Sequence, residues 1–97
     1  MYANVVPLPR GTERTVAQRH LEEQVVPAMR SLAGYAGHLV MIDPENGEGI
    51  GISLWESEAT AQAAAQALTP QRAAGGRLAG QATPLPTRLY EVIASNR

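Results

Sequence analysis

A handful of side chains in this sequence could do chemistry on a small molecule. His38 is the best suited to moving a proton, because an imidazole ordinarily titrates at about pH 6.5 and can take a proton from a phenol near neutrality. The same residue also suits a strand edge or a subunit interface. Tyr35, three residues earlier, brings a phenol that can share this acid-base work, line a pocket or simply pack. Asn4 can orient a phenol or dioxygen, or satisfy a neighbouring backbone group. Trp55 is the one tryptophan, and its indole needs a single partner for its N–H whether it lines a cavity or packs at a strand-to-helix junction. Tyr2 and Tyr90 can line a pocket or pack, and Arg72 and Arg77 can close over an anionic ligand as a flexible lid or stay solvated. The expected catalytic set is therefore Asn4, His38 and Trp55, with Tyr35, Tyr90 and Arg72 binding substrate. His20 and Glu23 stand one helical turn apart but have no third ligand at a recognisable metal spacing, so no metal site is expected.

Other chemistries are excluded by what is missing. With no cysteine there is no thiolate nucleophile, disulfide framework or thiolate metal cluster. No G-x-S-x-G, H-E-x-x-H or P-loop occurs, and Gly47-Glu-Gly-Ile-Gly is too short for a dinucleotide fingerprint and precedes no helix. Eight arginines, no lysine and nine acids leave a net charge of −1 with no basic stripe, which argues against nucleic acid as a partner. No apolar run approaches the roughly 20 residues of a membrane span, and the N-terminus lacks a signal-peptide pattern, so a cytoplasmic location is expected and no membrane partner.

The elements that must position these side chains follow from spacing. Tyr2 to Val6 reads as a short first strand stopped by Pro7 and Pro9. Ala17, Leu21, Val25, Ala28 and Leu32 then recur at intervals of three and four, the stripe of a helix that Gly11 and Thr12 open with Glu13 in its first turn, Pro27 kinks and Gly34 stops. Tyr35 to Ile42 is a second strand whose last four residues are all apolar, which implies cover on both faces of the sheet. Asp43 to Gly47 is a turn built on Asn-Gly. Gly49 to Trp55 returns with Ile50, Ile52 and Leu54 on one face and Gly51, Ser53 and Trp55 on the other. Ser57 caps a second helix, Glu58 to about Leu68, whose alanines either let it pack close to the sheet or leave room for a ligand. Thr69 as cap before Pro70 starts a short helical piece weakened by Gly75, Gly76 and Gly80, and Arg88 to Ala94 is a last strand.

The order β-α-β-β-α-β predicts one α+β domain over residues 1–97, a ferredoxin-like antiparallel sheet with helices on one face. The apolar fraction is 44%, but 16 residues are alanine and none is phenylalanine, a thin core for a chain this short. A homodimer joined through the uncovered sheet face resolves both that shortage and the doubly apolar second strand.

Two segments carry a family resemblance. Glu23-Gln-Val-Val-Pro-Ala-Met-Arg-Ser-Leu-Ala-Gly-Tyr-Ala-Gly-His-Leu-Val-Met and Gly49-Ile-Gly-Ile-Ser-Leu-Trp-Glu-Ser-Glu-Ala together resemble the dimeric α/β-barrel proteins of the antibiotic biosynthesis monooxygenase type. The shared features are a valine-proline step in the helix, a glycine-aromatic entry to strand two, and a third strand closing on Trp-Glu-Ser. The resemblance implies a homodimeric barrel with a ligand cavity between sheet and helices. It also implies oxidation of small aromatic phenols or quinols by dioxygen with no metal or flavin cofactor. A haem-degrading branch of that family uses an Asn-Trp-His set. Asn4 matches its asparagine, but Ala63 to Ala65 stand where the tryptophan belongs and Gln71 to Arg77 supply no histidine, so the resemblance does not extend to haem. The expected function is a cofactor-independent monooxygenase acting on a small aromatic. The alternative is a non-catalytic ligand-binding or stress-related dimer.

Overall fold

A computed structural model describes residues 1–96. Strand β1 spans Tyr2–Leu8, β2 Tyr35–Ile42, β3 Gly49–Trp55 and β4 Arg88–Glu91, in the sheet order β2-β3-β1-β4 with every neighbour antiparallel. That order is the ferredoxin-like one, as the element sequence predicts. Helices α1 (Arg14–His20) and α2 (Val26–Arg30) lie before β2, and α3 (Glu58–Ala67) and α4 (Thr69–Leu78) lie between β3 and β4.

Several boundaries differ from expectation for local reasons. Strand β1 runs through Pro7 to Leu8 because β4 pairs only with Tyr2 to Val5. Beyond Val5 one edge of β1 is open, so the donor Pro7 lacks has no ladder bond to lose on that side. β4 stops at Glu91, not Ala94, since β1 offers it no partner past Tyr2 except the Met1 carbonyl, which accepts from Val92 at 2.9 Å. The kink expected at Pro27 is a π-helical turn, Leu21–Val25, joining α1 to α2. A proline cannot donate to the carbonyl four residues back and its ring crowds it, and a widened turn relieves both.

Caps behave largely as their residue types require. The Glu13 carboxylate accepts from the amides of Thr15 (3.1 Å) and Val16 (2.8 Å) and caps α1. Ser57 and Thr60 form a reciprocal capping box at α3. Thr69 is not the cap of α4: Leu68 occupies that place without a side-chain bond, and Thr69 is already helical. The glycines of α4 do not break it. A Cβ on Gly76 would overlap the Thr83 carbonyl oxygen, so glycine there lets residues 83–85 lie directly against the helix. In the β2–β3 turn, Gly47 takes φ +74° as the Asn-Gly pattern requires, and its amide donates to Asp43 at 2.9 Å.

The core lies between the sheet and α3. Met29, Trp55, Ala61, Ala64 and Leu68 form it, with Tyr2, Tyr35 and Val26 packed around them. Ala61 and Ala64 are the alanines that bring α3 close, the first of the two expectations for that helix face. Among the described residues no layer covers the opposite face of the sheet: Leu39 is 55% exposed and Met41 47%.

Candidate functional site

Strand register decides which side chains meet. Asn4 pairs with Ser53 across β1 and β3, and Ser53 pairs with His38 across β3 and β2. Directly opposed residues point to the same face, so Asn4, Ser53 and His38 form one polar row across three strands, on the face that meets the helices. The next row is Val6, Gly51 and Val40, with no side chain at its centre. Above these rows is a cavity of about 190 Å³, roofed by α1, the π turn and α4, to which Val16, Leu21, Met29 and Leu78 contribute apolar surface. All three members of the polar row line it. A space of this size, apolar with a few converging polar groups, suits a small aromatic molecule.

Each member of the row is held differently. Asn4 is buried (5% exposed), and its Nδ2 donates to the Ala61 carbonyl of α3 at 2.8 Å, while Oδ1 has no hydrogen-bond partner among the described residues. His38 is on the edge strand and exposed, at the rim of the cavity, where Nδ1 shares a hydrogen bond of 2.5 Å with the Tyr35 hydroxyl. The two rings are near-parallel at 6.2 Å between centroids. A bond at Nδ1 leaves Nε2 as the ring nitrogen available to a ligand. Ser53 accepts at Oγ from the Trp55 indole N–H, 2.9 Å away.

Not every expected site residue reaches the cavity. Trp55 does not: it is fully buried, edge-on to Tyr35 at 5.7 Å, with its N–H spent on Ser53. It is a core residue that does not line the cavity. Tyr35 likewise does not line the cavity and is in contact with His38 and Trp55. Tyr90 is on the opposite face, in register with Ala3, 46% exposed and with the Arg88 guanidinium 5.7 Å over its ring, so it cannot bind a ligand in this cavity.

Arg72 lines the cavity but is no lid. Its Nε donates to the Leu85 carbonyl (3.1 Å), Nη1 to the Ala65 carbonyl (2.5 Å) and Nη2 to Thr69 Oγ1 (3.2 Å). These bonds fasten the connector before β4 to α3 and α4, and burial lowers the guanidinium pKa without threatening its charge. His20 also lines the cavity, and its Nε2 is 3.0 Å from the carbonyl of Gln71.

Ser53 and Gln71 are cavity residues that sequence reasoning passed over. Ser53 had a signal, since alternation already placed it on the Gly51-Trp55 face; what was missing was the register that sets it between Asn4 and His38. Gln71 gave none, because its place depends on how α4 packs on α1.

No family model matches the chain, and no curated protein matches it. Solved structures do. A monooxygenase encoded by ActVA-Orf6 of Streptomyces coelicolor, determined in complex with nanaomycin D, superimposes with a TM-score of 0.75 at 17% identity, over 99% of this chain and 90% of the other. The protein Rv0793 of Mycobacterium tuberculosis gives 0.68 at 16% identity over all of both chains. A Bacillus cereus protein, described as a candidate antibiotic biosynthesis monooxygenase, gives 0.56 at 16% identity over 99% and 92%. The sheet order, the helices on one face and these three likenesses together establish that the chain has a ferredoxin-like fold, one that it shares with two proteins described as monooxygenases and with Rv0793.

Proposed function

We propose that the protein is a cofactor-independent monooxygenase acting on a small phenolic or quinol substrate bound on the Asn4–Ser53–His38 row. The observation that carries this reading is the convergence of three polar side chains in one row on the sheet wall of a largely apolar cavity, with a proton-transfer group at its rim. The fold is that of a solved monooxygenase, which supports the same reading.

The chemistry asks little of the protein. His38 Nε2 takes the phenolic proton in the tautomer whose Nδ1–H donates to the Tyr35 hydroxyl oxygen, the one direction of that bond that leaves Nε2 unprotonated. The phenolate is electron-rich enough to reduce dioxygen itself. For an anthrone-type substrate the balance closes without another reductant: a ring CH₂ and O₂ give a ring C=O and one water. The cavity contributes orientation, exclusion of water and the Asn4 carboxamide as a fixed polar contact.

Assembly is part of the proposal. Leu39 and Met41 on β2, with Ile50, Ile52 and Leu54 on β3 and Tyr90 on β4, make an apolar outer face that a lone chain leaves to water. A second copy of the same face would cover it and close a two-sheet barrel.

Dioxygen uptake measured across a panel of hydroquinones and anthrones tests the activity. Uptake above the uncatalysed rate with at least one of them is expected. Saturable binding with no uptake from any would transfer the protein to the ligand-binding alternative.

A further inference from the structure

Ser53 has an unspent proton. The indole N–H of Trp55 can only donate, so at 2.9 Å it occupies a lone pair of Ser53 Oγ, and the serine hydrogen is directed elsewhere. Among the described residues nothing accepts it, yet the side chain is half-buried on the cavity wall. A hydroxyl with one lone pair already taken and its hydrogen without an acceptor on a largely apolar cavity wall is suited to a ligand oxygen that accepts strongly. We propose that Ser53 is the donor to the ionised oxygen of the bound aromatic and that Trp55, itself out of reach of the ligand, is the positioning residue that aims it.

The assignment deepens the proposed function and rests on its cavity. Of the titratable groups on the cavity wall, three are already engaged: Glu13 by two backbone amides, His20 by the Gln71 carbonyl, and Arg72 by two carbonyls and Thr69. His38 is the fourth, Ser53's cross-strand neighbour. An oxygen that has given its proton to His38 is then left between an imidazolium and a hydroxyl donor. The row therefore selects ligands that can ionise, phenols and enols, over ethers and hydrocarbons of the same shape.

The test uses 4-nitrophenol, whose absorbance reports ionisation, and 4-nitroanisole, which has the same shape and cannot ionise. At a pH where free nitrophenol is half ionised, the bound probe should be mostly anion. Ser53→Ala should weaken anion binding about tenfold, the scale of one hydrogen bond to a charged group, and leave nitroanisole affinity unchanged. Ser53→Thr, which restores the hydroxyl, should recover most of the loss. Trp55→Phe, with folding checked by thermal unfolding, should lower the anion preference in the same direction. Because that variant removes a core side chain and can fail to fold, the serine pair decides the matter. Anion affinity in Ser53→Ala within twofold of the parent overturns the assignment, as does a parent that binds nitrophenol neutral. A parent that binds neither probe overturns it together with the proposed cavity function. Anion binding that depends on Ser53, with no dioxygen uptake from any substrate, supports the assignment and removes only the oxidation reading.

Discussion

Two strand residues with similar prospects in the sequence, His38 and Trp55, end up in different roles because of what touches each. His38 keeps one ring nitrogen for a ligand and gives the other to Tyr35. His38→Ala should therefore lower turnover by about 100-fold or more with ligand affinity changed only severalfold, read from steady-state oxygen uptake beside equilibrium binding. Trp55 has neither a free N–H nor any exposed surface, so its truncation removes core packing together with the bond to Ser53. Trp55→Ala should cost about 3–5 kcal/mol in urea unfolding, a large part of what a domain of this size has. The types and periodicity of these residues were legible from the sequence, but the sequence did not say which of them face the cavity.

At the scale of elements, the helix ends and the centre of β3 make the clearest predictions. The backbone amides of Val16 and Thr15 favour the charged form of Glu13 and hold its pKa below the ordinary carboxylate value. A group depressed on folding stabilises the native state above its unfolded pKa and loses that contribution as pH falls through the folded one. The parent should thus lose thermal stability between about pH 5 and pH 3 more steeply than Glu13→Gln, a difference visible in melting curves across that range. Gly51 lies in the middle of the cavity floor, and a Cβ there would make only ordinary contacts, 3.7 Å to the Val6 carbonyl oxygen and 3.9 Å to Val40. Gly51→Val should fold, being a β-former in a strand, and should reduce affinity for aromatic ligands at least tenfold by filling the space, as isothermal titration would show. The kink at Pro27 was readable because proline's missing donor is a local fact. The π turn that absorbs it was not, since its length depends on how α1 and α2 lie over the sheet.

For the whole molecule, the uncovered sheet face is the dominant feature. Leu39 and Met41 stay half in water beside Ile50 and Ile52, and no described element of the chain covers that side. The purified protein should sediment at the mass of two chains at micromolar concentration. Replacing both Leu39 and Met41 with glutamate should reduce that to one, because burying two unpaired carboxylates in a sheet-to-sheet contact costs more than the contact returns. A parent that sediments as a single chain would remove the dimer from the proposal. The continuous apolar run of β2 had already indicated a covering layer, and the helices account for one side only.

The sequence by itself determined the order of elements, the absence of cysteine and membrane-span chemistry, the turn at Asn46-Gly47, the cap at Ser57 and the alanine face of the helix that follows it. All of these depend on residues near one another in the chain or on a periodicity of two or 3.6. The tertiary structure alone decided the site. Asn4, His38 and Ser53 are separated by up to 49 positions and become neighbours only through the strand register. A register shift of one residue would have turned a strand's polar member to the opposite face. That pairing also placed Trp55 in the core, Tyr90 outside, and Ser53, unremarked as a site residue in the sequence, at the centre of the row.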